Sequence, residues 1–275
     1  MRFLLRLSLL AAGILGGLAL LLFAAQRRLL YFPERQDLAR ATEEARRHGL
    51  EPWLGAGGRF VGWRSAHPSG RAAGRLLVLH GNGGHALHRL YFRDVFQGPA
   101  VAVPLDVFLL EYPGYGPRPG AHSERAFVDA ALEAVDLLGR DSAGPLLVLG
   151  ESLGSAIAAI AAAARPGAVA GVLLVTPVKS VPAVARRHYP FLPEMLLRDT
   201  YRADEALPRF PGPVGFLVAD RDEVVFADLG RALFHEYPGR KRLWVEEGEG
   251  HNTVRYDARD PRWGEMATFL LPLVR

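Results

Sequence analysis

The stretch "LLVLGESLGSAIAAI", Leu146 to Ile160, decides the fold. Its opening run, Leu146-Leu147-Val148-Leu149, is apolar at every position and too short for a helix, which suits a central strand of a parallel sheet covered on both faces. From Leu153 to Ala164 the chain is alanine-rich and reads as helix. A strand that becomes a helix within about two residues forces its turn residue into a strained conformation. Neighbours without a Cβ are then needed, and Gly150 and Gly154 supply them. Ser152 is lifted to the C-terminal edge of the sheet, with the N-terminus of the new helix beside it. The Gly-x-Ser-x-Gly turn presents a nucleophile, but an inert serine in a tight turn has the same five letters. The chemistry needs an acid and then a histidine further along, each in a loop after a later strand.

The rest of the chain is consistent with one α/β domain. It has 275 residues, enough for a single sizeable core, and short apolar runs alternate with helical stretches. There is no cysteine, so disulfides, thiolate catalysis and cysteine-held metals are excluded. A net charge of +4, carried by scattered arginines, gives no basic surface for nucleic acid.

The N-terminus is different in kind. From Leu7 to Gln26 it carries no charge, with Arg2 and Arg6 before and Arg27 and Arg28 after. Twenty helical residues span roughly 30 Å, the hydrocarbon thickness of a bilayer, so a single-pass anchor is expected here. A cleaved signal peptide is the rival, but Phe23 ahead of Ala25 breaks its small-x-small cleavage pattern. Similar arginine counts on the two flanks leave orientation open; the resemblance to an export signal favours an extracytoplasmic domain. Tyr31 and Phe32, just beyond, are expected either at the headgroup level or in a short linker that packs on the domain, two readings that are compatible.

Downstream, "GRLLVLHGNGG" ends a strand in a glycine-rich turn, His80 to Gly84. Acyl transfer builds negative charge on a carbonyl oxygen, which backbone N–H groups must receive. The amide of Leu153 is one expected donor and that of Asn82 the other. His80, His85 and His88 fall close together, but no carboxylate accompanies them at ligand spacing, so no metal site is expected. Beyond the strand "GVLLV", Thr176-Pro177 offers no acid. The proline-rich stretch 178–213 suits a small cap, whose His188, Tyr189, Phe191, Leu192, Met195 and Leu196 either line an apolar entrance or simply pack. "PVGFLVADRDEVV" then supplies two acids, Asp220 and Asp222, and "RLWVEEGEGHNTV" presents His251 after the last strand.

These residues resemble the α/β-hydrolase superfamily, in particular a membrane-anchored, small-capped branch related to serine aminopeptidases and protein depalmitoylases. The resemblance spans roughly Leu29 to Leu270 and rests on "LLYFP", "LHGNGG", "EYPGYG", "GESLG", "YPFLPEMLLRDTY", "ADRDEVV" and "GEGHN". It implies a mostly parallel sheet with helices on both faces, and a triad of Ser152, Asp222 and His251. Arg118 and His85 depart from the residues usual in the family. The implied organisation is an anchor at 1–28, a juxtamembrane segment at 29–58, and a hydrolase domain at 59–275 with its cap at about 178–213.

The expected activity is hydrolysis of carboxylic esters or thioesters through an acyl-enzyme, on a lipid-like acyl substrate, with no metal or organic cofactor. A serine peptidase of aminopeptidase type is the enzymatic alternative. A non-catalytic binding module on the same fold is the other, although such a module is expected to lack a triad member.

Overall fold

The computed structural model describes residues 2–140 and 144–271. Residue 1 of the expected anchor and residues 141–143 and 272–275 of the expected hydrolase domain lie outside them. Eight strands form one sheet: β1 (Glu51–Leu54), β2 (Phe60–Ser65), β3 (Gly74–Leu79), β4 (Leu105–Leu110), β5 (Leu146–Glu151), β6 (Gly171–Val175), β7 (Val214–Ala219) and β8 (Lys241–Glu246). Their spatial order is β8-β7-β6-β5-β3-β4-β2-β1. From β4 to β8 all pairings are parallel, while β2 runs antiparallel to β4 and to β1. The helices are α1 (Arg2–Leu30), α2 (Leu38–Arg47), α3 (Leu90–Phe96), α4 (Glu124–Arg140), α5 (Leu153–Ala164), α6 (Val181–His188), α7 (Ala203–Ala206), α8 (Ala227–Glu236) and α9 (Pro261–Leu270).

Alternation along the central strands divides the core in two. In β3, Leu77 and Leu79 pack with α4 and α5, whereas Leu76 and Val78 pack with α3 and α9. In β5, Leu146 and Val148 share the first cluster, and Leu147 and Leu149 the second. Apolar residues are buried on both sides, which is why these strands read as unbroken hydrophobic runs.

The main sheet begins earlier than the expected domain boundary at residue 59. Glu51–Leu54 is the edge strand of the main sheet, and Ala41 and Ala45 of α2 are fully buried. Most of the expected juxtamembrane segment is therefore part of the domain. Within it Tyr31 packs on the domain, while Phe32 is exposed. Tyr31 is 3% exposed, its hydroxyl lying 3.0 Å from Asp199 Oδ2 and 2.8 Å from the Tyr201 hydroxyl.

Among the described residues no helix is long and apolar enough to cross a membrane, so the expected spanning anchor is not shown. In its place α1 carries exposed apolar side chains, Leu9, Leu10, Ile14, Leu20 and Leu21 among them. Its C-terminal end is bonded to the cap: Arg27 holds Asp199 with two hydrogen bonds of 2.8 and 2.9 Å, and Gln26 Oε1 accepts from the Arg198 amide. The cap residues between α6 and β7 do not line the cleft described below. Phe191 is 97% exposed and Met195 87%, whereas His188 packs its ring on Phe226.

Candidate active site

Ser152 joins β5 to α5 with φ 52 and ψ −124, a conformation that costs a non-glycine residue energy. The two glycines of the turn are sterically required. A Cβ on Gly150 would overlap the Gly154 carbonyl, and one on Gly154 would overlap the carbonyl of Leu79 in β3. The Ser152 amide is tied to the Val175 carbonyl at the end of β6, 2.9 Å away, which fixes the turn between two strands.

His251 reaches the serine from the loop after β8, its Nε2 lying 2.9 Å from Ser152 Oγ. Its Nδ1 lies 2.7 Å from Asp222 Oδ2. A carboxylate only accepts, so Nδ1 carries the proton and Nε2 is left to accept from the serine hydroxyl. Burial pushes the Asp222 carboxyl up, but the bond from His251 and its charge, with the amides of Val224 and Val225 at 2.9 Å each, hold it below the usual range. Asp220, two residues earlier, faces away: it is exposed and accepts from the Gly248 amide at 2.7 Å.

The turn after β3 lies against the serine, since a Cβ on Gly81 would sit 3.3 Å from Ser152 Cβ. The turn is supported from beneath. Tyr112 donates to the His80 carbonyl at 3.0 Å, and Tyr115 donates to that of Asn82 at 2.7 Å. The Asn82 carbonyl also accepts from the Phe32 amide, and its side-chain amide donates to the Leu30 carbonyl at 2.8 Å. Its position is thereby held from two sides. Leu153 opens α5, so its amide lies among the unpaired donors of a helix N-terminus.

Glu151 is more heavily engaged than its place beside the serine suggests. Arg89 forms an ion pair with it, Tyr91 donates at 2.5 Å and Tyr256 at 3.2 Å. Tyr91 and Tyr256 stack with ring centroids 4.1 Å apart. Sequence reasoning missed these three. A carboxylate at the buried end of a strand calls for a cation, yet linear spacing does not single out Arg89 among many arginines. Together with Phe32 and Val254 they border a cleft of about 780 Å³ that contains Ser152 and His251. A Ser–His–Asp relay opening on such a cleft, with amides at its edge, can activate a hydroxyl against a carbonyl carbon.

Residues 74–213 match the α/β-hydrolase fold family. An uncharacterised protein of Mycobacterium tuberculosis is 33% identical over 88% of this chain and 85% of its own length. Human monoglyceride lipase is 30% identical over 53% of this chain and 48% of the lipase. Among solved structures, an esterase of Pyrococcus furiosus superposes with a TM-score of 0.63 at 15% identity, covering 88% of this chain and 97% of the esterase. The parallel sheet, the strained serine turn and these matches together show that the chain belongs to the α/β-hydrolase fold family.

Proposed function

We propose that the protein is a serine hydrolase of carboxylic esters or thioesters. The observation that carries this reading is the continuous chain of hydrogen bonds from Asp222 through His251 to Ser152 at the floor of the cleft. Ser152 Oγ attacks the acyl carbon as His251 Nε2 takes its proton, and Asp222 stabilises the imidazolium. The Leu153 and Asn82 amides receive the oxyanion, each worth roughly 3 kcal/mol in the transition state. The C–O or C–S bond breaks as His251 returns the proton to the leaving group. Water, deprotonated by His251, then releases the acid and restores Ser152. Neither a metal nor an organic cofactor enters these steps.

The similarity to human monoglyceride lipase supports an acyl ester as substrate. The peptidase alternative needs a carboxylate to receive a substrate's amino terminus, and Glu151 is already engaged by Arg89, Tyr91 and Tyr256. The exposed apolar side chains of α1, with Arg27 and Arg28 in its last turn, suit attachment to a lipid surface that delivers the substrate. This attachment belongs to the proposal, as does the finer kinship with membrane-anchored depalmitoylases.

The test is labelling of the purified full chain with a fluorophosphonate, followed by p-nitrophenyl esters of increasing length and aminoacyl anilides. Wild type labels and cleaves esters, while Ser152→Ala and His251→Ala do neither. A folded wild type that fails to label overturns the mechanism, and preferential cleavage of anilides restores the peptidase.

A further inference from the structure

Away from Ser152, on the rim of the cleft, the fold gathers three side chains that linear spacing keeps apart. Phe32 and Pro33 pair in parallel with Gly83 and Gly84, and the Glu34 amide continues the ladder to the Gly84 carbonyl at 3.0 Å. That register sets Glu34 alongside His85. A 3₁₀ turn, Ala86–Arg89, follows His85, and the His88 amide donates to the His85 carbonyl at 3.1 Å. Side chains three apart eclipse in such a turn, so the two imidazoles come together with ring centroids 3.8 Å apart. Gly84 leaves room for this, at φ 81, because a Cβ there would run into His88 Nδ1.

One ligand atom from each of Glu34, His85 and His88 lies within 4.8 Å of the other two. The second observation concerns His85 alone. It is 1% exposed, and neither of its ring nitrogens has a hydrogen-bond partner among the described residues. Buried polar atoms are ordinarily satisfied, so a core imidazole with both nitrogens unmet calls for a ligand that the protein itself does not supply. Glu34 and His88 are open to solvent at the cleft, which gives such a ligand a way in.

We propose that Glu34, His85 and His88 bind a divalent first-row transition ion, Zn2+ by preference. Two imidazole nitrogens and a carboxylate oxygen are a donor set that zinc accepts with a fourth place left for water. Modest rotations of the exposed Glu34 and His88 bring the three atoms to bonding distance. The ion ties the segment that follows α1 to the turn that carries Asn82, so it acts as a staple across the cleft rim. It takes no part in the hydrolysis proposed above, and the inference stands apart from that reading.

The experiment uses the untagged full chain, stripped with EDTA and dialysed. Zn2+ binding is measured by titration calorimetry, and Co2+ is added as a spectroscopic substitute. The expected result is one ion per chain, with the visible absorption of four-coordinate Co2+ and a raised Tm. Glu34→Gln and His88→Ala, whose side chains are solvent-accessible, each weaken binding by about tenfold or more while keeping the circular dichroism of the wild type. His85→Ala risks the fold and is not needed. Absence of binding to wild type overturns the site, and so does binding of unchanged affinity in both variants, which puts the ion elsewhere. Ester hydrolysis after EDTA is measured in parallel, so loss of the metal site and loss of the proposed activity are read separately.

Discussion

Two of the described histidine–carboxylate pairs, His251 with Asp222 and His80 with Glu111, differ in almost everything but composition. In the first, His251 bonds Asp222 at 2.7 Å and offers its other nitrogen to Ser152. In the second, His80 turns Nδ1 to the Gly81 carbonyl at 2.7 Å and leaves Nε2 3.5 Å from Glu111, without a hydrogen bond. Asp222 is held ionised by amides and by the imidazole. Burial instead pushes Glu111 up to about 7 and His80 down to about 3, so His80 is uncharged across the neutral range and Glu111 keeps its proton up to about pH 7. A histidine beside an acid is therefore not yet a catalytic pair. Its role depends on whether the acid keeps its charge and on what the second ring nitrogen can reach.

The largest effect comes from removing that charge in the first pair. With Asp222→Asn, the His251 tautomer is no longer fixed with its proton on Nδ1. Turnover of a soluble p-nitrophenyl ester should drop by about ten-thousand-fold, with the fold intact. Steady-state kinetics beside near-ultraviolet circular dichroism check this. A drop of less than about tenfold would remove the distinction between the two pairs.

Glu111→Gln tests the second pair by its pH dependence. The ordinary glutamate value is 4.5, and in the fold it is about 7. Between these values the folded protein keeps the proton that the unfolded chain releases, so stability falls as pH rises through the window and levels off above it. The loss attributable to this group is about 3 kcal/mol. Urea unfolding at pH 5 and pH 8 should show a steep decline in wild type and a shallower one in Glu111→Gln. Equal slopes in the two proteins would mean that Glu111 is ionised throughout.

The contrast between the pairs also explains what was legible before the structure. The central strands read clearly because burial on both faces makes most of each an apolar run, and the elbow reads clearly because steric overlap admits only glycine at 150 and 154. Asp220 and Asp222 leave the same strand end, so spacing alone does not separate them; the Gly248 amide takes one and His251 the other. Glu111 opens "EYPGYG", and linear spacing points to none of its partners. It is fully buried, and the Ala86 amide donates to its two oxygens at 3.1 and 3.3 Å. The partner of Tyr31 is hidden for the same reason, because Asp199 comes from a distant part of the chain.

The smallest expected effect is the most discriminating about what the second pair is for. Tyr112 and Tyr115 are both fully buried, and each donates one hydrogen bond to the turn that carries the proposed oxyanion donor. Removing either hydroxyl costs about 1 kcal/mol of stability, the usual net value of one hydrogen bond. Their kinetic consequences should differ. The Tyr115 bond ends on Asn82 itself, whose amide is proposed to receive the oxyanion, whereas the Tyr112 bond ends two residues earlier on His80. Tyr115→Phe should therefore lower kcat a few-fold with KM nearly unchanged, because an oxyanion donor acts in the transition state and not on bound substrate. Tyr112→Phe should show the stability loss with little kinetic change. If both variants leave kcat untouched, the amide of Asn82 is not the second donor, and the buried pair beneath it serves packing alone.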